Sequence, residues 1–430
     1  MRTGEYFFLI FSNFQIFTIS AILSLIVYYA IFKRYIFSLL DPLLLSAFFS
    51  YLGFTTVLFL YFTENITLFW LSSYLFTQFA FFLGFIIIKP LRLDFNIKLG
   101  QISSQQKRLS KWMFIISGLI TISSTLLIYI YKGIPIFAAS RLNIIGDDTV
   151  FKIINRISKI VFPVYMFLTI YFVSFSKKRS KSIRNFAILS LLVIVGISIL
   201  SGSRSKIMAI GFGFFIYSIY ATRWGDSFLF EKIKKFSLRF LIIAFVIAII
   251  SFYVGENSNP FYFLIFRLAS SGDAYFMGYP NSVLEIIPKE NWFVGLFASP
   301  LNMLGLINET RMPEPIGFQL MEYYSKAKLF RGPNARHNIL GYVYFGYYWS
   351  IFFSFTIGLL LSYVRNKVYF KLPKNIFGSM MYFLLLLCVL NLETDFYMGL
   401  ASLIDIVFIF IPLYIITIII DQVYVSNTNK

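Results

Sequence analysis

The sequence predicts an all-α polytopic membrane protein of about eleven transmembrane helices, ten to twelve, with one large outward-facing loop. Three observations carry that reading. Of 430 residues 58% are hydrophobic, 20% aromatic and only 13% charged, and soluble domains carry roughly twice that share of charge. Runs such as 16–32, 241–254 and 376–392 are too long and apolar to face water. Most of the 38 lysines and arginines gather in alternate loops, as expected of loops facing anionic cytosolic lipid head groups.

Runs near the ~20 residues needed to cross the hydrocarbon place spans at 9–32, 36–62, 66–88, 112–131, 160–176, 185–201, 207–222, 240–254, 339–363, 376–392 and 400–420. Arg2 and Glu5 precede the first run and no small-residue cleavage pattern closes it, so it reads as a retained span and not a signal peptide. Lys33-Arg34 separates the first two spans, and the third ends at Lys89. The fourth lies between Lys111 and Lys132, the fifth stops before Lys177-Lys178-Arg179, and the sixth and seventh meet at Ser201-Gly202-Ser203-Arg204-Ser205-Lys206. Arg239 precedes the eighth, and Arg365 to Lys374 separates the ninth from the tenth. The single membrane domain covers 1–430, and the polar interruption 255–338 is its large loop, with short helices expected at 282–287 and 317–328 from their spacing.

Charge placement narrows the function classes. The opposite loops hold most of the 19 acidic residues and are nearly balanced, so the net charge of +19 is a topology signal. No nucleic-acid recognition motif accompanies it. Cys388 is the only cysteine, which excludes an intrachain disulfide and a cysteine-based metal site. No cofactor motif is present: Gly211 and Gly213 lie mid-span with no preceding strand and read as helix packing.

Arginine is the residue to weigh. Arg141, Arg156, Arg204, Arg267, Arg311, Arg331 and Arg336 stand on the outward side, where the positive-inside tendency disfavours them. A guanidinium presents a planar fork of donors that matches phosphate oxygens. Several converging would hold a pyrophosphate, and Arg141, Arg204, Arg267 and Arg331 are the candidates. For single residues such as Arg156 and Arg311, pairing with an outward carboxylate or snorkelling to lipid head groups stands as an equal reading. His337, alone in the chain, follows Arg336 and begins a span at the membrane surface, where it could accept a hydroxyl proton or serve structurally. Glu393 and Asp395 flank Thr394 in the turn between the last two spans; they could bind a divalent metal, serve as bases, or balance nearby arginines. Asp41 and Asp405, near or within spans, are read as capping or hydrogen-bonding inside the bundle, with a functional role open to any intramembrane acid. No metal site is expected, since ligand types do not cluster.

These features resemble a known family. The Ser201-Gly202-Ser203-Arg204-Ser205 turn after a span, Ser140-Arg141-Leu142-Asn143 in an earlier outward loop, one dominant loop, and Arg336-His337-Asn338-Ile339-Leu340-Gly341 followed by Tyr344-Phe345-Gly346 are together similar to the O-antigen polymerases (Wzy) and related repeat-unit polymerases. The resemblance covers most of the chain in topology, through short motifs. It implies a fold like the C-type membrane glycosyltransferases and a bacterial plasma (inner) membrane location with the active site on the periplasmic face. It also implies undecaprenyl-pyrophosphate-linked glycans as donor and acceptor, with no cofactor. Pathway partners would be a chain-length regulator and a flippase. The sister O-antigen ligases share a His-Asn span start, but Gly341 and Gly346 follow His337 sooner than in that pattern. A lipid-linked oligosaccharide transporter is the other alternative; such a protein lines an interior path with charge inside its spans.

The chemistry agrees with the residue types. Departure of a lipid pyrophosphate from a sugar needs fixed positive charge, which arginines supply, and a base must take the acceptor hydroxyl's proton. Arg336, His337, Glu393 and Asp395 are the catalytic candidates. Trp292, Tyr323, Tyr324 and Tyr342 offer flat faces to sugar rings.

Overall fold

A computed structural model describes residues 1–94, 103–137, 148–174, 181–256, 266, 268–308, 311–326 and 332–428. The protein is an all-α polytopic membrane protein, 84% helical, with no strand among the described residues. Among the described residues ten helices are long and apolar enough to cross a membrane. The run 240–254 lies in a continuous helix, Phe228–Glu256, that is not among those ten.

In chain order the helices are α1 (Thr3–Ser12), α2 (Phe14–Phe32), α3 (Pro42–Phe62), α4 (Leu68–Ile86), α5 (Ser104–Lys132), α6 (Thr149–Ser174), α7 (Lys181–Leu200), α8 (Arg204–Ala221) and α9 (Phe228–Glu256). Four short helices follow: α10 (Asp273–Gly278), α11 (Val283–Ile286), α12 (Trp292–Met303) and α13 (Ile316–Ser325). The chain then forms α14 (His337–Tyr363), α15 (Ile376–Thr394), α16 (Phe396–Asp405) and α17 (Ile411–Thr428). The first expected span is broken at Asn13, whose φ of −126° and ψ of 41° are not helical. Asp41 starts α3 by accepting the Leu43 N–H at 3.1 Å, with Pro42 in the first turn. Asn375 does the same for α15 through the Gly378 N–H at 2.9 Å.

α15 is the hub, with 78% of its apolar stretch buried, more than any other span. It packs against α3 and α14 on one side and α6 and α8 on the other. On the second side Phe383 stacks on Phe167 with ring centres 5.2 Å apart. The tightest seam joins α4 to α14. A Cβ on Gly84 would lie 2.2 Å from the Phe355 carbonyl oxygen, and one on Gly358 would lie 2.1 Å from that of Phe81. Only glycine allows backbones to meet so closely.

Two departures from the sequence reading matter for function. Part of the interruption 255–338 belongs to the bundle interior: Tyr275, Phe276, Met277, Val283 and Leu284 are fully buried. Phe276 stacks on Tyr6 at 4.3 Å, and Tyr279 on Trp70 at 5.1 Å. The helices expected there form as α11 and α13.

The second departure is a reversal inside α14. His337 Nδ1 lies 3.0 Å from Ser354 Oγ, whereas 17 residues of straight helix would separate them by about 25 Å. Gly346, at φ 71° and ψ −171°, turns the chain, so that 337–345 folds back along 347–363. A Cβ on Gly341 would sit 3.0 Å from the Ser350 Cβ. His337 therefore does not begin a span at the membrane surface. It starts a short arm buried beside the longer one.

Candidate functional site

The segment that delivers Arg336 leads straight into this short arm, and its backbone is extended at Arg336, with φ −66° and ψ 166°. Arg336 Nη1 donates to Glu393 Oε1 at 3.0 Å, and the two side chains are 8% and 1% exposed. Ser46 Oγ donates to the other Glu393 oxygen. Three elements distant in sequence thus meet: the start of α14, the end of α15 and the first turns of α3. Burying two charges is tolerable only because each is paired and hydrogen-bonded.

A ring of polar side chains surrounds the pair. Asn338 accepts from the Tyr275 hydroxyl at 2.8 Å and donates to Thr77 Oγ1 at 2.9 Å, with a weaker contact to Gln78 Oε1 at 3.4 Å. Tyr28 and Ser50 hydroxyls lie 2.7 Å apart. Thr77 and Gln78 stand midway along α4, so the ring sits well inside the bundle. His337 is 1% exposed; besides its Ser354 contact, its ring stacks on Phe81 at 4.8 Å, and its Nε2 has no hydrogen-bond partner among the described residues. This sealed position suits a residue that orients Arg336 and Asn338 better than one that meets a hydroxyl at the surface.

Asp395 is placed differently from Glu393. It caps α16, accepting the Met398 N–H at 3.1 Å. Burial pushes its carboxyl above the ordinary aspartate range, against the pull of the Met398 and Tyr397 backbone N–H groups. The two carboxylates, two residues apart, have separate partners: Arg336 and Ser46 for Glu393, the Met398 N–H for Asp395. Among the described residues no three His, Cys, Asp or Glu side chains gather as a metal site.

Of the pyrophosphate candidates, Arg141, Arg267 and Arg331 lie outside the described residues. Arg204 opens α8 directly after the tight turn at Gly202 (φ 60°), and its side chain is likewise outside the description. Of the aromatic candidates, Trp292 and Tyr323 are exposed, whereas Tyr342 is buried with its hydroxyl 3.1 Å from Glu285. Tyr324 donates to the Met277 carbonyl at 3.0 Å.

A second charged constellation lies across α15, between α6, α8 and α16. Arg156 Nε is 3.8 Å from Asp405 Oδ1, and its Nη2 donates to Ser299 Oγ at 3.3 Å. Lys159 follows one turn later on the same face of α6, and Phe162 one turn after that. Lys206, in the first turn of α8, holds its ammonium 5.3 Å from the Phe162 ring centre. Sequence reasoning missed Lys159 and Lys206, and it also missed Ser46, Tyr28, Ser50, Tyr275 and the pair Thr77-Gln78. The usable signal was polarity inside an apolar span, which marks pathways and sites.

No protein-family model, curated protein or solved structure matches this chain.

Proposed function

We propose that this protein is a membrane glycosyltransferase that joins undecaprenyl-pyrophosphate-linked oligosaccharide repeat units into polysaccharide, working from the outward face of a bacterial plasma membrane. The observation that carries the reading is the Arg336–Glu393 pair, delivered by the His337-Asn338 segment that gave the family resemblance and set among neutral hydrogen-bonding groups. In the reaction the bond from the anomeric carbon to a diphosphate oxygen breaks, and the acceptor hydroxyl oxygen forms the new bond. Its proton passes to a base, and the diphosphate leaves with the bonding electron pair. Glu393, paired with Arg336, is the proton acceptor in this proposal. Arg204, Arg141, Arg267 and Arg331 remain the proposed holders of the diphosphate, and His337 positions Arg336.

Purified protein in liposomes, given lipid-linked repeat units, is expected to lengthen the glycan, and Glu393→Gln is expected to stop lengthening while leaving the folded protein in place. Lengthening by Glu393→Gln at the normal rate would remove the proposal. Charge inside the spans favours one second reading, a lipid-linked oligosaccharide transporter. Relocation of the lipid across the same liposomes without any lengthening would support it instead.

A further inference from the structure

We infer that Arg156, Lys159 and Lys206 form a binding site for a phosphate group, borne by a lipid or free. The site is separate from the Arg336–Glu393 pair, and where the phosphate is that of a lipid diphosphate the inference rests on the function proposed above. Arg156 and Lys159 stand one turn apart on α6, Lys206 of α8 lies over the Phe162 ring one turn further on, and the Asp405 carboxylate lies beside Arg156. The Asp405–Arg156 separation of 3.8 Å is too long for a hydrogen bond, and the buried Asp405 Oδ1 has no hydrogen-bond partner. The carboxylate therefore offsets the charge without occupying the guanidinium fork.

Excess positive charge between membrane-spanning helices is expensive unless an anion offsets it. The arrangement suits phosphate in three respects. Arg156 donates once from Nη2 to Ser299 and has further guanidinium N–H groups to offer, Lys159 and Lys206 add compact ammonium charges, and the α6 face is open, with Lys159 exposed and the Arg156 side chain 31% exposed. Phe162 lies under the Lys206 ammonium and steadies it. Because Lys206 sits two residues after Arg204, the site continues the turn that the sequence already marked.

The test uses the full chain in nanodiscs and measures binding of a polyprenyl diphosphate, of phosphatidylglycerol and of inorganic phosphate. Wild type is expected to bind at least one of them about tenfold or more tightly than the Arg156→Gln, Lys159→Gln, Lys206→Gln triple variant, and the order of affinities identifies whether the phosphate is lipid-borne or free. Lys206→Arg is expected to keep binding. Asp405→Asn is expected to tighten it severalfold, a change of sign that misfolding could not produce. Equal binding by wild type and the triple variant, or weaker binding by Asp405→Asn with the fold intact, would overturn the site. Because the readout is binding, a failure here is distinct from a failure to lengthen glycans.

Discussion

Among the described residues two buried arginine–carboxylate pairs occupy this bundle, and their coordination separates them. At the lysine- and arginine-rich end, Arg365 donates through Nη1 to Asp41 Oδ1 at 2.9 Å and through Nη2 to Oδ2 and to the Tyr35 carbonyl at 2.5 Å each. Asp41 also accepts the N–H groups of Leu43 at 3.1 Å and Phe37 at 3.2 Å. About four acceptor sites exist on a carboxylate, and all are taken. Glu393 receives one donor on each oxygen, from Arg336 and Ser46, and no more among the described residues. The first carboxylate is saturated, and its pair fastens helices together. The second keeps acceptor capacity in hand, and that is where chemistry can enter.

The largest effect that sharpens this contrast is expected from Arg365→Ala. It strands a buried, four-fold-coordinated carboxylate, so stability should fall by roughly 3–5 kcal/mol, read as lost monodisperse protein and a lower unfolding temperature in detergent. Next, Glu393→Gln keeps the shape and an acceptor oxygen for Ser46, so it should lower glycan lengthening about 100-fold or more with a smaller stability loss than Arg365→Ala. The reverse ranking, with Arg365→Ala stable and Glu393→Gln unfolded, would exchange the two roles.

A third test removes the reversal that brings Arg336 inward. Gly346 adopts a backbone conformation almost confined to glycine, and an added Cβ would meet nothing within 4 Å. Gly346→Ala should therefore cost about 1–3 kcal/mol through backbone strain alone, measured by thermal unfolding; an unchanged unfolding temperature would deny that the turn is held as described. The smallest effect is expected at Asp395. Its raised pKa stabilises the protonated form in the fold, so that contribution is complete below the unfolded aspartate pKa and is lost as pH rises through the folded value. Asp395→Asn retains a capping side chain, so it should shift stability by less than about 1 kcal/mol and flatten this part of the pH profile. A large loss of lengthening on Asp395→Asn would bring that residue back among the catalytic groups.

The spans were legible because about twenty apolar residues in a row admit few other structures, and basic loops marked their ends. Arg336, His337 and Glu393 were legible as unusual residues, but their meeting was not, since Arg336 and Glu393 are 57 residues apart. A glycine within an apolar run reads as helix packing, which hid the turn at Gly346. Short apolar stretches such as 274–277 look alike on a loop and in a core, which hid the burial of α10. Arg156 and Lys159 were discounted or passed over because a cation in an apolar helix has the same sequence whether it reaches for lipid or lines a site.

The seam between α4 and α14 constrains how anything bulky could reach Glu393. With backbone against backbone at Gly84 and Gly358, no side chain lies between the two rods to be compressed or rotated aside, so they travel as a single plank. On the function proposed here, a doorway into the polar ring would then be hinged on α3 or α15, and a crosslink binding α4 to α14 should leave glycan lengthening untouched, whereas one binding α3 to α15 should jam it.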